Sequence, residues 1–244
     1  MHIMKKIYSI IALIILSSSF LFAQDFSIGI KDGISWSGIA GRFDFKNFDE
    51  TQMQNKVGHN FGINLNYGVT NFLTLQLEVN YEEKGFDFEY PPMLVGITYS
   101  GNFRLKYLTI PITAHFEIGK NVKYYGYTGI YVGFLLKAEN YTSFISTSSA
   151  DLIIYDMSYD PTDIFNKNEF GGLIGLGVKI PLCEKVKFIV DTRYNFGLTK
   201  AAKNTDFDYD HNLWTLTTPD NFQDVYNRSL SISLGILYNL NKKD

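Results

Sequence analysis

The sequence predicts an all-β fold: a single eight-stranded antiparallel barrel that crosses a membrane. Three observations predict it. Apolar and polar residues alternate with a period of two in segment after segment, the links between segments alternate between short and long, and aromatic residues gather at both ends of the apolar faces. Together these features favour a closed sheet whose apolar face is turned outward into lipid.

The first residues predict a targeting segment. Residues 1–23 have two early lysines, an apolar run that is short for a spanning helix, and a small-residue exit, as in a secretory signal peptide. We therefore predict a signal peptide over residues 1–23 and a barrel domain over residues 24–244. No later stretch approaches the roughly eighteen uncharged apolar residues that a transmembrane helix needs, so a membrane protein of this sequence would have to be a barrel.

The first four predicted strands show the alternation most clearly. They are residues 26–37, 61–68, 72–86 and 107–118. In the third, the outward apolar positions are Leu73, Leu75, Leu77, Val79 and Tyr81. Pro111 lies inside the fourth strand, where its missing N–H is normally tolerated at a bulge, so we predict a bulge there.

The last four predicted strands are residues 124–137, 170–180, 187–198 and 229–240. The first of them is apolar on both faces and is the least regular. Glycines at positions 171, 175 and 177 share the inward face of the next strand. Because no helix follows them, they do not form a nucleotide-binding loop, and we expect them to leave room for large Tyr, Lys and Arg side chains from opposite strands.

The links between strands alternate in length. They run to about 20, 13, 30 and 26 residues after the odd-numbered strands, and to only about three or four after the second, fourth and sixth. Long structureless loops are unusual in compact soluble domains, whereas outer-membrane barrels combine short periplasmic turns with long extracellular loops. An even strand count would return both chain ends to the periplasm.

Aromatic residues mark both ends of the apolar faces. At the short-turn ends they are Phe26, Tyr67, Phe116, Tyr124, Phe188 and Tyr238, and at the long-loop ends they are Trp36, Phe61, Tyr81, Phe134, Phe170 and Phe196. Two such girdles around an aliphatic band are typical of the two interfaces of a bilayer. A soluble barrel of the lipocalin type, the alternative, would turn its apolar residues inward and would leave the girdles unexplained.

Four charged residues on the inward face are predicted to lie at similar depth in the lumen: Lys31, Glu78, Asp191 and Arg193. Charges of balanced sign in a narrow space should pair, because an isolated charge away from bulk water is costly. An eight-stranded barrel has an interior just wide enough for its own side chains. We predict a lumen plugged by this ion-pair network; a proton path or gated pore is the open alternative.

Composition and short motifs argue against nucleic-acid binding, a disulfide and a calcium site. The net charge of −3 offers no basic stripe for nucleic acid, and Cys183, the single cysteine, excludes an intramolecular disulfide. The aspartates in the run DFDYDH, residues 206–211, could hold calcium, but the glycine and distal glutamate of a calcium loop are missing. We predict a solvated acidic loop and no metal or cofactor.

A lipid-modifying enzyme is the other alternative. His59 and Glu83 could be neighbours at the outer rim, but no serine is placed beside them on the lipid-facing side, and acyl transfer needs a nucleophile there. We therefore predict a protein that is not an enzyme.

Four stretches carry a family resemblance: GIKDGISWS, LEVNYEEKGF, YLTIPI and RYNFGL. In this order they resemble the recurring elements of the PorT-like outer-membrane β-barrel proteins of Gram-negative bacteria. The chain departs from that pattern in two places: Leu77 stands where those proteins often have proline, and the sequence ends in NLNKKD and not on an aromatic residue. The resemblance implies a place in the outer membrane and a family of mostly unassigned function, with some members linked to secretion or to surface roles.

The predicted function is that of a non-enzymatic outer-membrane barrel with a structural, surface-interaction or secretion-associated role. A small-solute or proton channel and a lipid A-modifying barrel enzyme remain as alternatives. Expected partners are outer-membrane lipid and lipopolysaccharide, the barrel-assembly machinery, and an envelope or extracellular protein held through the long loops. The aromatic residues of the first and fourth long loops could form such a binding surface or could pack on one another over the barrel mouth; they are Phe43, Phe45, Phe48, Phe207, Tyr209 and Trp214. No nucleic acid partner is expected.

Overall fold

The structure is a computed structural model that describes residues 25–41, 52–90, 97–147, 152–203 and 225–240. These residues form nine strands, and no helix among them is long and apolar enough to span a membrane. The strands are β1 (Asp25–Ala40), β2 (Gln52–Gly68), β3 (Leu73–Tyr90), β4 (Ile97–Ile118), β5 (Lys123–Thr147), β6 (Leu152–Tyr159), β7 (Asn168–Pro181), β8 (Val186–Gly197) and β9 (Tyr226–Asn239).

Eight of the strands close into an antiparallel barrel in the order β1, β2, β3, β4, β5, β7, β8, β9 and back to β1. The predicted fold class is therefore confirmed. The ninth strand, β6, pairs with β5 from Asn140 onward, beyond the part of β5 that pairs with β7. Among the described residues β6 thus extends one hairpin beyond the barrel wall and is not part of the closed ring.

The stagger of the strands sets their tilt. A path through hydrogen-bonded partners that starts at Phe26 passes once round the barrel and returns to β1 at Trp36, ten residues further along the strand. For eight strands this stagger corresponds to a tilt of about 40–45°. A strand of that tilt climbs roughly 2.4 Å per residue, so Phe26 and Trp36 are separated by about the height of the apolar band of an outer-membrane barrel.

Four strands run well beyond their predicted ends on the side of the long loops. The alternation was bounded there near residues 61, 86, 107 and 137, whereas β2 begins at Gln52, β3 continues to Tyr90, β4 begins at Ile97 and β5 continues to Thr147. Between β3 and β4 the pairs continue without interruption in this region, for example between Phe88 and Gly101. The apolar pattern stops where lipid contact stops, but backbone pairing does not need lipid.

The predicted bulge at Pro111 is wrong. Pro111 keeps its register opposite Tyr131 on β5, and on the β3 side the pairing omits Glu78 and Val79 without any shift of register. The strand therefore tolerates the missing N–H by interrupting one ladder. The irregularity of β4 against β5 falls instead between Lys106 and Tyr107.

Some predictions fall on residues outside the described ranges. These are the signal peptide at residues 1–23, the acidic run at 206–211 and the aromatic loop residues Phe43, Phe45, Phe48, Phe207, Tyr209 and Trp214.

Candidate functional site

The lumen is the polar interior of the barrel. Along most strands the buried positions are mostly polar and the exposed positions mostly aliphatic or aromatic, as along β9, where buried serines alternate with exposed leucine and isoleucine. This distribution is the reverse of a soluble barrel. The charged residues inside fall into three groups along the barrel axis, defined below as the lower, middle and upper layers.

The middle layer consists of Lys31, Glu78, Asp191 and Arg193, the four residues singled out from the sequence. Lys31 Nζ lies 2.7 Å from Glu78 Oε1 and 3.6 Å from Asp191 Oδ1, and Arg193 Nη2 lies 2.6 Å from Glu78 Oε1. Every one of the four is at least 94% buried. Two cations and two carboxylates thus meet at one depth and balance one another's charge.

Two tyrosines from β5 complete the middle layer. The hydroxyls of Tyr125 and Tyr127 donate to the two carboxylate oxygens of Asp191 at 2.9 and 2.8 Å, and Arg193 Nε donates to the Tyr127 hydroxyl at 3.2 Å. The rings lie over glycines of β7: a Cβ on Gly175 would come within 2.3 Å of Tyr127. The glycines of β7 therefore leave room for large side chains, as predicted. These side chains are tyrosines of the neighbouring strand β5, and not Tyr, Lys and Arg residues of opposite strands.

The lower layer lies at the short-turn end of the lumen. Glu117 accepts bonds from Lys179 and, at 3.0 Å, from Lys123, while Thr74 Oγ1 donates to it at 2.8 Å. His115 is buried just above and stacks on the Tyr127 ring with centroids 4.4 Å apart. The lower layer carries two cations for one carboxylate.

The upper layer lies at the long-loop end. Lys84 Nζ is 3.0 Å from Glu169 Oε2 and 3.6 Å from Glu82 Oε2, and the Tyr131 hydroxyl donates to Glu169 Oε1 at 2.6 Å. The ammonium of Lys84 also lies 4.9 Å from the centre of the Tyr131 ring and 5.0 Å from that of Tyr107. This layer carries two carboxylates for one cation, the opposite imbalance to the lower layer.

An apolar cluster covers the upper layer on the side of the long loops. It joins inward residues of β3, β4 and β5 to residues between strands, and its largest buried members are Phe86, Phe103, Leu105, Tyr107 and Phe165. The Phe103 ring packs on Phe86 at 5.0 Å and on Phe165 at 5.7 Å between centroids. Apolar packing thus closes the mouth of the barrel above the charged layers.

Between the middle and upper layers a polar cavity of about 20 Å³ remains, enough for one or two water molecules. Serines of β9 and Ser35 line one side, and Glu82 and Arg193 line the other. Asn60 Nδ2 and Asn195 Oδ1 belong to this lining and have no hydrogen-bond partner within the described residues.

The twelve predicted girdle residues all lie on the outward face, and none of them is buried. Phe26 packs on Tyr67 with ring centroids 5.0 Å apart, and Phe61 is the direct register partner of Tyr81. Their surroundings are exposed aliphatic residues such as Ile63 and Leu77.

The acid–histidine pair on the outer wall differs from the pair expected at the rim. His59 Nε2 contacts Asp32 Oδ1 at 2.6 Å, while Glu83 accepts a hydrogen bond from the Tyr81 hydroxyl at 3.1 Å. The side chains of His59 and Asp32 are 53% and 66% exposed on the outer wall.

Several interior residues were not predicted. Glu117 and Lys179 occupy inward positions in the same alternation that identified the middle layer, so the pattern already contained them. Lys84 and Glu169 lie beyond the clear apolar alternation, and only the continued strand pairing brings them into the lumen. Asp32 falls on the outward face between Ile30 and Ile34, where the alternation would have revealed a carboxylate among aliphatic residues.

Comparisons with known proteins give low sequence identity over nearly the full length. Ail of Yersinia pestis is 16% identical over 87% of this chain and 98% of its own, with a TM-score of 0.39. OprG of Pseudomonas aeruginosa is 13% identical over 90% of this chain and 97% of its own, with a TM-score of 0.46. Neisserial surface protein A is 14% identical over 87% and 97%, with a TM-score of 0.42. No curated protein sequence matches the chain.

The profile of one protein family, described as outer membrane protein beta-barrel domain, matches residues 22–203. This match spans most of the chain and agrees with the closed, outwardly apolar barrel. The chain therefore belongs to the outer membrane protein β-barrel domain family, and its place is the bacterial outer membrane.

Proposed function

We propose that the chain is a non-enzymatic barrel of the cell envelope whose lumen is closed and whose extracellular side engages a partner. The closed lumen carries this proposal. Three layers of paired charges and an apolar cluster fill the interior of the described barrel, and the cavity left between the layers has room for about one or two waters. A barrel closed in this way acts through its surfaces.

The extracellular side offers the larger surface. Strands β3, β4 and β5 continue beyond the girdle, and β6 widens this extension. An open groove of about 530 Å³ lies on the extension and is lined by charged and polar residues, among them Lys56, Asp87, Glu89, Asp156 and Tyr141. Such a groove supports contact with an envelope or extracellular protein. We also propose lipopolysaccharide and the barrel-assembly machinery as partners, because a barrel in the outer membrane meets both.

The PorT-like resemblance supports the narrower proposal of a role linked to secretion. Deletion of the gene, with proteomics of secreted and surface proteins, tests it. Loss of a defined set of surface proteins would support the secretion role. An unchanged surface proteome would contradict it and leave adhesion or envelope structure.

A proton or small-solute path is the second candidate. The small polar cavity and the two amide atoms in its lining that lack a hydrogen-bond partner, Asn60 Nδ2 and Asn195 Oδ1, favour it, because water could enter there. Recordings in planar bilayers separate the candidates: we expect no reproducible conductance steps from the native chain. Steps that disappear in chains with a bulky Ser231→Phe change in the cavity wall would contradict the closed lumen and support the path.

The enzyme alternative needs a nucleophile beside the histidine, whereas the contact that the structure gives His59 is with the carboxylate of Asp32. Mass spectrometry of lipid A from cells that overproduce the chain tests it. An altered lipid A mass that a His59→Ala variant fails to produce would contradict the proposal.

A further inference from the structure

The outer wall of the barrel carries one charged group in an unexpected place. Among the described residues, Asp32 is the single acidic or basic side chain on the outward face between the two girdles. Its neighbours on that face are Ile30, Ile34, Phe61 and Leu234, all of them at least 40% exposed. The wall around Asp32 is therefore apolar on every side except toward His59.

Asp32 lies within the height of the lipid-facing band. At about 2.4 Å per residue along a tilted strand, it is roughly 10 Å below Trp36 and roughly 14 Å above Phe26 on the same strand. His59 lies two residues above Phe61 on β2, and its ring reaches Asp32 at 2.6 Å. An ionisable side chain that faces hydrocarbon is costly, and such groups normally turn toward a polar partner. A single neighbouring imidazole on an otherwise apolar wall leaves much of this cost unrelieved.

The Asp32–His59 contact engages one of the two carboxylate oxygens and one of the two ring nitrogens. It engages Oδ1 of the carboxylate and Nε2 of the ring, which leaves Oδ2 and Nδ1 on the outer surface. When the pair consists of a carboxylate and a doubly protonated imidazolium ring, it presents one acceptor, Oδ2, and one donor, Nδ1–H, toward the lipid.

Such a pair is complementary to itself. Two barrels inserted in the same direction can be related by a two-fold axis along the membrane normal, and this operation leaves every height unchanged. Because the carboxylate and the imidazole are in contact, they lie at nearly one height. The axis can therefore place Oδ2 of one copy against Nδ1 of the other, and the reverse contact forms by symmetry.

We propose that the β9–β1–β2 wall is a homodimer interface in the membrane, with Asp32 and His59 of each copy bonded to those of the second copy. The apolar residues around them give no drive to associate, since lipid tails are equally apolar, whereas hydrogen bonds between membrane segments do. An anionic lipid phosphate is the less suitable occupant because it would face the carboxylate of Asp32. This interface is independent of the closed lumen and of any extracellular partner.

Cysteine cross-linking of the full chain in native outer membranes tests the interface. Cys183 is exposed and is first replaced by serine to prevent other disulfides. Ile34→Cys places a thiol beside Asp32, and Ile130→Cys, at a position of similar exposure (53% against 47%) on β5, serves as the matched control. Reciprocal hydrogen bonds of this kind favour association by at least about tenfold, so oxidation should yield at least about tenfold more dimer from Ile34→Cys than from Ile130→Cys.

A second variant tests the role of the polar pair. Adding Asp32→Leu and His59→Leu to Ile34→Cys makes the wall uniformly apolar and should reduce the dimer to the level of the control, with folding verified by heat-modifiable gel mobility. If the Ile34 variant does not fold, Leu234→Cys replaces it. Equal cross-linking at positions 34 and 130 in folded protein would overturn the proposal. So would a dimer that survives the double leucine substitution, or a pair found occupied by lipid or another protein.

Discussion

Replacing Glu78 by glutamine should destabilise the barrel strongly, since this carboxylate joins both cations of the middle layer. Lys31 Nζ and Arg193 Nη2 reach it at 2.7 and 2.6 Å, and the side-chain amides of Asn80, at 2.9 Å, and Gln76 donate to it as well. Glutamine keeps the volume but removes the charge. It also replaces one carboxylate oxygen, which accepts hydrogen bonds, by an NH₂ group, which donates them.

The expected magnitude follows from the two charged bonds. A hydrogen bond to a charged group contributes about 1.5–3 kcal/mol, so two of them amount to about 3–6 kcal/mol. Removing one partner of a buried ion pair costs about 3–5 kcal/mol, because a buried charge is left uncompensated. Asp191 stays 3.6 Å from Lys31 and relieves part of that loss, whereas Arg193 keeps one hydrogen bond, to the Tyr127 hydroxyl, and the longer-range attraction of Asp191. We therefore expect a loss of about 3–5 kcal/mol in the free energy of unfolding.

Urea unfolding from lipid vesicles measures this difference. Trp36 belongs to the upper girdle and lies on the outward face, so its fluorescence reports on the transfer from lipid to water, and gel mobility verifies the folded fraction. Glu83→Gln is the matched control: it makes the same chemical change on the same strand at the half-exposed rim and should cost less than about 1 kcal/mol. A loss below about 1 kcal/mol for Glu78→Gln, or an equal loss in both variants, would refute the account of the middle layer.

Two further predictions concern the backbone and the extracellular charges. Gly85 has a φ of 149°, and a Cβ there would lie 2.0 Å from the carbonyl oxygen of Phe103 on the neighbouring strand, so Gly85→Ala should destabilise the barrel by roughly 1–3 kcal/mol in urea unfolding. Gly126→Ala, whose Cβ would meet its nearest atom at 3.9 Å, should be nearly neutral, and equal losses would contradict this account. Hydrogen bonds from Lys106 and Lys137 hold the pKa of Glu139 below its ordinary value of 4.5. The bridge should therefore persist above pH 4.5 and be lost as the pH falls through the lowered pKa; a side-chain carboxyl titration by NMR at or above the ordinary value would contradict it.

The orientation of side chains could be read from the sequence because strand geometry is local. Successive side chains alternate between the two faces whatever the partner strand is, so a period of two identifies both walls. This rule also holds for Glu117 and Asp32, which were overlooked although their positions in the alternation assign them to the lumen and to the outer wall. The apolar pattern failed where lipid no longer constrains it, and β4 therefore begins ten residues before its predicted start.

The tyrosines of β5 illustrate a different limit. The segment is apolar by composition on both faces, so alternation could not say which of its residues enter the lumen. The structure turns Tyr125, Tyr127 and Tyr131 inward, because the glycines of β7 opposite them leave space and the carboxylates of Asp191 and Glu169 accept their hydroxyls. The inward direction of these tyrosines therefore follows only when β5 is aligned with β7.

The sequence by itself determined the barrel class, the outward apolar wall and the four charges at the centre of the lumen, because each depends on spacing within one strand. Only the tertiary structure decided which charges meet. Arg193 on β8 reaches Glu78 on β3 across the lumen, and His59 reaches down to Asp32 and not to Glu83. The contact across the lumen depends on the stagger with which the sheet closes, which is a property of all eight strands together. The contact on the outer wall depends on the register of β1 against β2, which no single segment carries.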